Sequence, residues 1–420
     1  MKILLLTDIP PCNNHTSGLV INSWCDFLLE DGHEIYCALI ENSDLNPDIP
    51  KEKIEKITFL KIDKPREYWG LSEGVKFQRI KENLNSLYHN NLIRIIHLPK
   101  IASKVSMFAK EKNCELILAS IQGQTMTQLV RKVARKTNLE YVAQTWDPLE
   151  WWMKVHKFDP ITKFFNMREF GLVIKNAKNF MAMSWAMSLE SEKKYSTKSI
   201  TNIPGLKKGK LLSRKDQRRK KNFVISLAGQ LYAKEEFDVL VEVLERMNWS
   251  YNGKRISINL YGREFDFKYH NVKGIKIHGY VPQEKLITLL AASDLLYCPY
   301  WFSKEYEKAC RISFPAKLVT FLKTGKPVLM HSPKYASPRV LLENSNASYI
   351  CGSLNVDEMV DVLKSIIDDK NRDKVGIRGY KLFEKYMTYD SMKKSLLVSL
   401  GLMDKKVIEE FESVRKIYKE

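Results

Sequence analysis

Short apolar strands alternate with amphipathic helices in two separate runs, and a basic, polar segment lies between them. The first run opens with KILLLTD (residues 2–8), a loop ending at Gly18, a helix over about 20–30 and the strand HEIYCALI (33–40). It continues through LILAS (116–120), YVAQT (141–145) and NFMAMS (179–184). Strands that are apolar throughout, with helices between them, belong to an open, mostly parallel sheet covered on both faces. The second run holds FVISLAG (223–229), a helix through 239–247, ISINLYG (256–262), IKIHGYV (275–281) and a further helix. It ends with DLLYCPY (294–300), a short helix, a strand at 328–330 and ASYIC (347–351). The fold class is therefore α/β, with two doubly wound Rossmann-like domains in succession. The boundaries read as 1–204 for the first domain, 205–222 for a basic linker and 223–375 for the second domain. A helical tail over 376–420 is free to pack back across both.

Bulk properties narrow the partners. A chain of 420 residues exceeds one ordinary core, and 44% hydrophobic content suffices for two. The net charge of +19 draws the protein to something acidic: nucleic acid, an anionic membrane face or phosphorylated ligands. Seven cysteines lie scattered without a CxxC pair, which argues against a disulfide framework and a zinc site and suits a reducing cytosol. The opening apolar run stops at Asp8, too soon for a signal peptide or a membrane span, and no later stretch is long enough to cross a bilayer. A cytoplasmic location is expected.

Ligands of doubly wound sheets bind beyond the carboxyl ends of the strands. In the second run those ends carry Gly229-Gln230-Leu231 with Lys234, Gly262-Arg263-Glu264, His278-Gly279-Tyr280-Val281, and the segment from Arg311 to Lys317. Glycine permits close backbone approach, and Arg and Lys neutralise phosphate. The stretch RISFPAKLVTFLKTGKPVLM (311–330) predicts a short helix with Leu318, Val319, Phe321 and Leu322 on its buried face, ended by Thr324-Gly325. Lys317 then sits at the helix N-terminus, where amides, dipole and ammonium together suit a phosphate. The competing interpretation is a solvated first-turn lysine beside ordinary glycine turns.

The order of these elements resembles the nucleotide-sugar glycosyltransferases of the GT-B architecture, in particular glycosyltransferase family 4. SFPAKLVTFLKTGKPVL looks like the FPSK variant of bacterial surface-polysaccharide transferases. The resemblance implies a donor diphosphate held by Lys317, Lys234 and backbone N–H groups from Ala316 to Leu318, with Arg311 or Arg263 assisting. Ser313, Phe314 and Pro315 complete that segment. The family's pair of glutamates eight residues apart falls here on Ile312 and Thr320, so Thr320 is left to meet a ribose hydroxyl. The family's Gly-Arg-Leu turn appears as Gly229, Gln230 and Leu231, without the arginine, and Gly262 lies at the next strand end. HGYV implies a base held at Tyr280 and Val281, and NNHTSGLV implies that Gly18 admits the diphosphate. TWDPLEWW stands where relatives carry His-Asp near the acceptor, which places Trp146 and Asp147 there. Asp147 next to Pro148 also reads as a helix cap. Trp146, Trp151 and Trp152 are open to stacking on sugar, lying at a membrane interface or packing in a core.

By this resemblance the chain is a metal-independent, retaining glycosyltransferase with catalytic Asp147, Lys234 and Lys317. The first domain is then the acceptor side and the second the nucleotide-sugar side. No cofactor is expected beyond a nucleoside-diphosphate sugar, with UDP favoured, and the acceptor is a saccharide or a lipid-linked one. The basic helices LPKIASKVSMFAKEKN and LVRKVARKTN suit docking to the inner face of an anionic membrane. Two other classes remain: a sugar-nucleotide epimerase or inactive nucleotide-sugar binder, and a nucleic-acid-binding protein. The last rests on net charge alone, and no nucleic-acid partner is expected because no such motif accompanies the charge.

Overall fold

The computed structural model describes residues 1–41, 45–67, 76–209, 211, 221–263, 265, 269 and 272–419. Two compact units emerge: Met1–Ile203 with Lys393–Glu412, and Pro204–Met392 with Ser413–Glu420.

The first unit is built on a parallel sheet of seven strands: β1 (Lys2–Thr7), β2 (Glu34–Glu41), β3 (Thr58–Asp63), β4 (Leu116–Ser120), β5 (Tyr141–Thr145), β6 (Asn179–Ala182) and β7 (Ser199–Thr201). Their order is β3-β2-β1-β4-β5-β6-β7. The central strands β4 and β5 are buried at every position, which is why they read as unbroken apolar runs. β3 went unrecognised because it lies at the edge, where residues of TFLKID alternate between exposed and half-buried. The helix Thr16–Glu30 begins earlier than its apolar pattern suggests and takes Gly18 into its first turn. The C-terminal residues of this unit are held by polar contacts: Trp185 Nε1 donates to Phe411 O at 2.8 Å, Asn179 Nδ2 to Ser399 O at 2.8 Å, and Thr201 N to Glu412 Oε1 at 2.7 Å.

The second unit has β8 (Asn222–Ala228), β9 (Ser250–Tyr251), β10 (Lys254–Tyr261), β11 (Ile275–Ile277), β12 (Leu295–Pro299), β13 (Val328–His331) and β14 (Tyr349–Cys351). The parallel order is β11-β10-β8-β12-β13-β14, with β9 antiparallel on β10. Phe237, Leu240, Val241 and Leu244 recur at helical spacing on Lys234–Arg246 and join Phe223, Ile225 and Leu227 of β8 in one core. Each such side chain contributes roughly 1.5–3 kcal/mol by leaving water. β11 is shorter than IKIHGYV suggests, since the chain turns after Ile277. The first residues of the basic segment are pinned: Leu206 N donates to Met387 O at 3.1 Å and Tyr389 N to Leu206 O at 3.0 Å. Residues 210 and 212–220 of that segment, and Glu264, lie outside the described residues.

All seven cysteines are buried and none is in a disulfide. Among the described residues no helix is long and apolar enough to cross a membrane.

Candidate functional site

On the second unit, three glycine turns at successive strand ends are tied in a row. Gly229 N donates to Tyr261 O at 2.8 Å, and Gly262 N donates to Gly279 O at 2.9 Å. Gly229 and Gly279 have φ of +81° and +70°, in the left-handed region that side chains disfavour. At Gly262 a Cβ would come within 2.9 Å of Gly229 O and of the Phe265 ring. The glycines thus bring three strand ends close enough to bond through main chain. Beside them His278 stacks on Tyr261, with ring centroids 4.7 Å apart, and lies 3.0 Å from Asn259 Oδ1. The Arg263 guanidinium lies 5.1 Å over the exposed Tyr280 ring, and Val281 is half-buried.

Lys317 is the second residue of the Ala316–Lys323 helix, which Pro315 caps without a side-chain bond. Its half-buried ammonium donates to Gln230 O at 2.8 Å and lies 4.3 Å over the Tyr232 ring. Partial burial lowers its pKa to about 8, because a charged ammonium there has lost part of its water. Tyr232 belongs to an aromatic wall: its ring centroid is 4.7 Å from that of Trp301, which is 5.2 Å from Tyr306. Trp301 Nε1 donates to Tyr232 O at 3.2 Å. Behind this wall Glu236 is buried and accepts from Phe302 N at 2.7 Å, which fixes the loop after β12. The sequence pointed to neither Tyr232, Trp301 nor Glu236. Their signal is that YAKEE lies three residues beyond the end of β8 and YWF directly follows β12.

Other expected donor residues are placed differently. The Leu318 amide donates to Pro315 O at 2.9 Å and its side chain is fully buried, so it is not open to a diphosphate. The Ala316 and Lys317 amides remain at that helix terminus. Thr320 is buried and accepts from Gln283 Nε2 at 3.3 Å, which commits its hydroxyl to a neighbouring helix. Arg311 is engaged by Glu307 Oε1 at 2.7 and 3.0 Å and lies 4.4 Å over Tyr335, so its charge is already matched. Ser313 N donates to Ala309 O at 2.8 Å, Phe314 is half-buried and Pro315 is buried. Lys234 is exposed at the start of its helix.

On the first unit, Asp147 follows β5. The next helix, Leu149–Val155, has Pro148 at its cap, so Asp147 does not cap it. The carboxylate is half-buried and has no hydrogen-bond or ion-pair partner among the described residues, and desolvation raises its pKa to about 6. Asp147 O accepts from Thr145 Oγ1 at 3.0 Å, and the same hydroxyl lies 3.1 Å from Gln122 Oε1. Trp146 stacks on Trp24 with centroids 5.7 Å apart, while Trp24 Nε1 donates to Asn202 Oδ1 at 3.1 Å. Trp152 packs against His156 and Phe158, at 4.3 and 5.6 Å.

Gly18 is buried, and a Cβ there would overlap Cys12 Sγ and come 3.1 Å from Pro10 O. The room this glycine makes is filled by the protein itself. The sequence also gave no hint of a charged cluster on this rim. Lys64 Nζ is 2.9 Å from Asp8 Oδ2 and 3.7 Å from Glu67 Oε1, which accepts from Thr125 N at 2.9 Å. Lys64 follows β3, the overlooked strand. Buried polar atoms without a partner gather at the same strand ends, among them Ser120 Oγ, Gln122 Nε2, both Gln144 side-chain atoms and Trp146 Nε1. Such atoms need water or a polar ligand.

No family model matches this sequence, and no curated protein is detectably similar. Solved structures are similar over almost the whole chain. Sucrose-phosphate synthase from Thermosynechococcus elongatus superposes with a TM-score of 0.66 at 9% identity, covering 98% of this chain and 100% of that one. WaaG, a glycosyltransferase involved in lipopolysaccharide biosynthesis, gives 0.60 at 12% identity, with coverage of 96% and 100%. Anabaena HepE, solved with UDP and glucose, gives 0.60 at 14% identity, also with coverage of 96% and 100%. Two parallel-sheet α/β units in succession, matched end to end by these structures, give the chain the GT-B fold.

Proposed function

We propose that the protein is a glycosyltransferase of the family 4 type. It moves a sugar from a nucleoside-diphosphate sugar, with UDP favoured, to a hydroxyl acceptor with retention of configuration. The observation that carries this reading is Lys317: a desolvated ammonium at a helix N-terminus, held by Gln230 O and the Tyr232 ring beside the Gly229 turn. Glycosyl transfer passes through an oxocarbenium-like state while negative charge grows on the departing diphosphate. Lys317, the Ala316 and Lys317 amides, Arg263 and Lys234 supply a preorganised positive field for that charge. Tyr280 offers its exposed ring to the base. Asp147 takes the acceptor proton, since a carboxylate with a pKa near 6 is ionised yet basic enough to do so. In this reading the acceptor is lipid-linked, in bacterial cell-surface polysaccharide or glycolipid synthesis, and the protein works at the inner membrane face.

A panel of nucleotide sugars, scored by thermal shift and then by product formation, tests the proposal. One nucleotide sugar should raise the melting temperature and be consumed when an acceptor is present. Stabilisation without any turnover would favour a non-catalytic binder, and no response to the whole panel would overturn the donor assignment. Because the positive field comes from side chains and amides, turnover should survive EDTA. Loss on chelation with recovery on adding manganese would refute that part.

A further inference from the structure

Among the described side chains of the Lys76–Leu92 helix of the first unit, the two that are buried are polar: Ser86 Oγ donates to Asp159 Oδ2 at 3.0 Å, Asn90 Nδ2 donates to Ser86 Oγ at 3.1 Å, and Gln124 Nε2 donates to Asn90 O at 2.9 Å. Ile80, Leu84 and Tyr88 face solvent, 50, 61 and 62% exposed, while Leu87 and Leu92 are half-buried. At about 100° per residue, positions four apart advance only about 40°, so the three form one narrow stripe. The helix runs on through a π-helical segment, Ile93–His97, into Leu98–Glu111. Pro99 has no amide to give the Ile95 carbonyl, and Leu98 N bonds to Ile93 O, five residues back. At this bulge Ile95 and Ile96 also face outward, 63 and 43% exposed. A single exposed apolar residue is ordinary, but an apolar stripe exposed over successive turns marks a surface that meets something apolar.

The surrounding charge says what that is. Lys81 flanks the stripe, and Lys100 and Lys104 are exposed on the continuing helix. Arg94 lies 4.0 Å over Phe165, and the only acid on the Lys76–Leu92 helix is the half-buried Glu82. A second copy would bring these cations against their like on a chain that already carries +19. An anionic bilayer complements both the apolar stripe and its basic border.

We infer that this helix docks the protein on an anionic lipid surface, with Ile80, Leu84, Tyr88 and Ile95 entering the headgroup–acyl boundary while Lys81, Lys100 and Lys104 meet lipid phosphates. This deepens the reading of a membrane-associated transferase, because attachment becomes apolar as well as ionic. It is tested by cosedimentation of the whole protein with phosphatidylcholine vesicles, with and without phosphatidylglycerol. Wild type should bind the phosphatidylglycerol vesicles and keep part of that binding at high salt. The double variant Leu84→Ser/Ile95→Ser should bind at least roughly tenfold more weakly, with unchanged melting temperature. Val407→Ser, at an exposed site on another element, should bind like wild type. Full vesicle binding by the serine double variant would overturn the inference. So would a wild type that ignores vesicles but forms a dimer which the same double variant abolishes. Nucleotide-sugar binding measured on the same samples separates the two readings: its absence would refute the transferase while leaving the vesicle result standing.

Discussion

The Lys317 ammonium lies 4.3 Å over the Tyr232 ring and also donates to the Gln230 carbonyl. Both contacts favour the charged form, yet burial outweighs them and brings the pKa down to about 8. A lysine partly stripped of its water gains from an incoming anion.

The first prediction concerns pH. A diphosphate pairs with the ammonium and raises its pKa, so binding is strongest below about pH 8. It should weaken by up to about tenfold per unit above that, as the free protein loses the proton. Lys317→Met should bind weakly and without this pH dependence, and Lys317→Arg should stay flat through the same window. Calorimetry of UDP between pH 7 and 9 decides it; a wild-type affinity that does not change would rule out Lys317 as the contact.

The second prediction separates the arginines. Because Arg311 is matched by Glu307 and stacked on Tyr335, Arg311→Ala should leave UDP affinity within about twofold, as expected for an exposed pair. Arg263→Ala should weaken it several-fold more, since Arg263 lies against Tyr280 beside the Gly279 turn. The opposite ranking in the same titration would reverse the assignment.

Much of the fold was legible because parallel-sheet strands such as LILAS and FVISLAG are buried on both faces and leave unbroken apolar runs. β3 was not, because an edge strand buries too little to impose that pattern. With β3 went Lys64 and Glu67. Lys317 was legible because helix start and stop signals are local. The fates of Arg311, Thr320 and Leu318 were not, since each depends on a partner that spacing does not reveal: Glu307 and Tyr335, Gln283, and the Pro315 carbonyl. Gly18 shows the same limit. It packs against Cys12, six residues earlier, a contact that spacing does not reveal.

The third prediction follows from that packing. Gly18→Ala should destabilise the protein by about 1–3 kcal/mol, because the added methyl overlaps Cys12 Sγ in a buried site. Cys12→Ala should recover part of the loss in the double variant, giving a coupling that two independent sites would lack. Urea unfolding of the four proteins measures it. Purely additive effects would show that Gly18 is kept for another reason.

The last prediction concerns Asp147, where stability and activity should move in opposite directions. Its carboxylate has no partner among the described residues, and desolvation raises its pKa from 3.8 to about 6. The folded state therefore holds a proton there that the unfolded state releases between about pH 4 and 6. Stability from this group is complete below pH 4 and is lost as pH rises through 6. At pH 7.5 the ionised, half-buried group costs about 1–2 kcal/mol, after discounting the full shift for its partial exposure. Asp147→Asn removes that charge, so the variant should melt higher than wild type at pH 7.5 and equally at pH 4. If Asp147 takes the acceptor proton, kcat should fall by about 10²–10⁴-fold, and the acid limb near pH 6 should disappear from the profile. A stabilised variant with unchanged kcat would show that the charge strains the fold without serving transfer. An unchanged melting temperature would show that the carboxylate is better solvated than its burial implies.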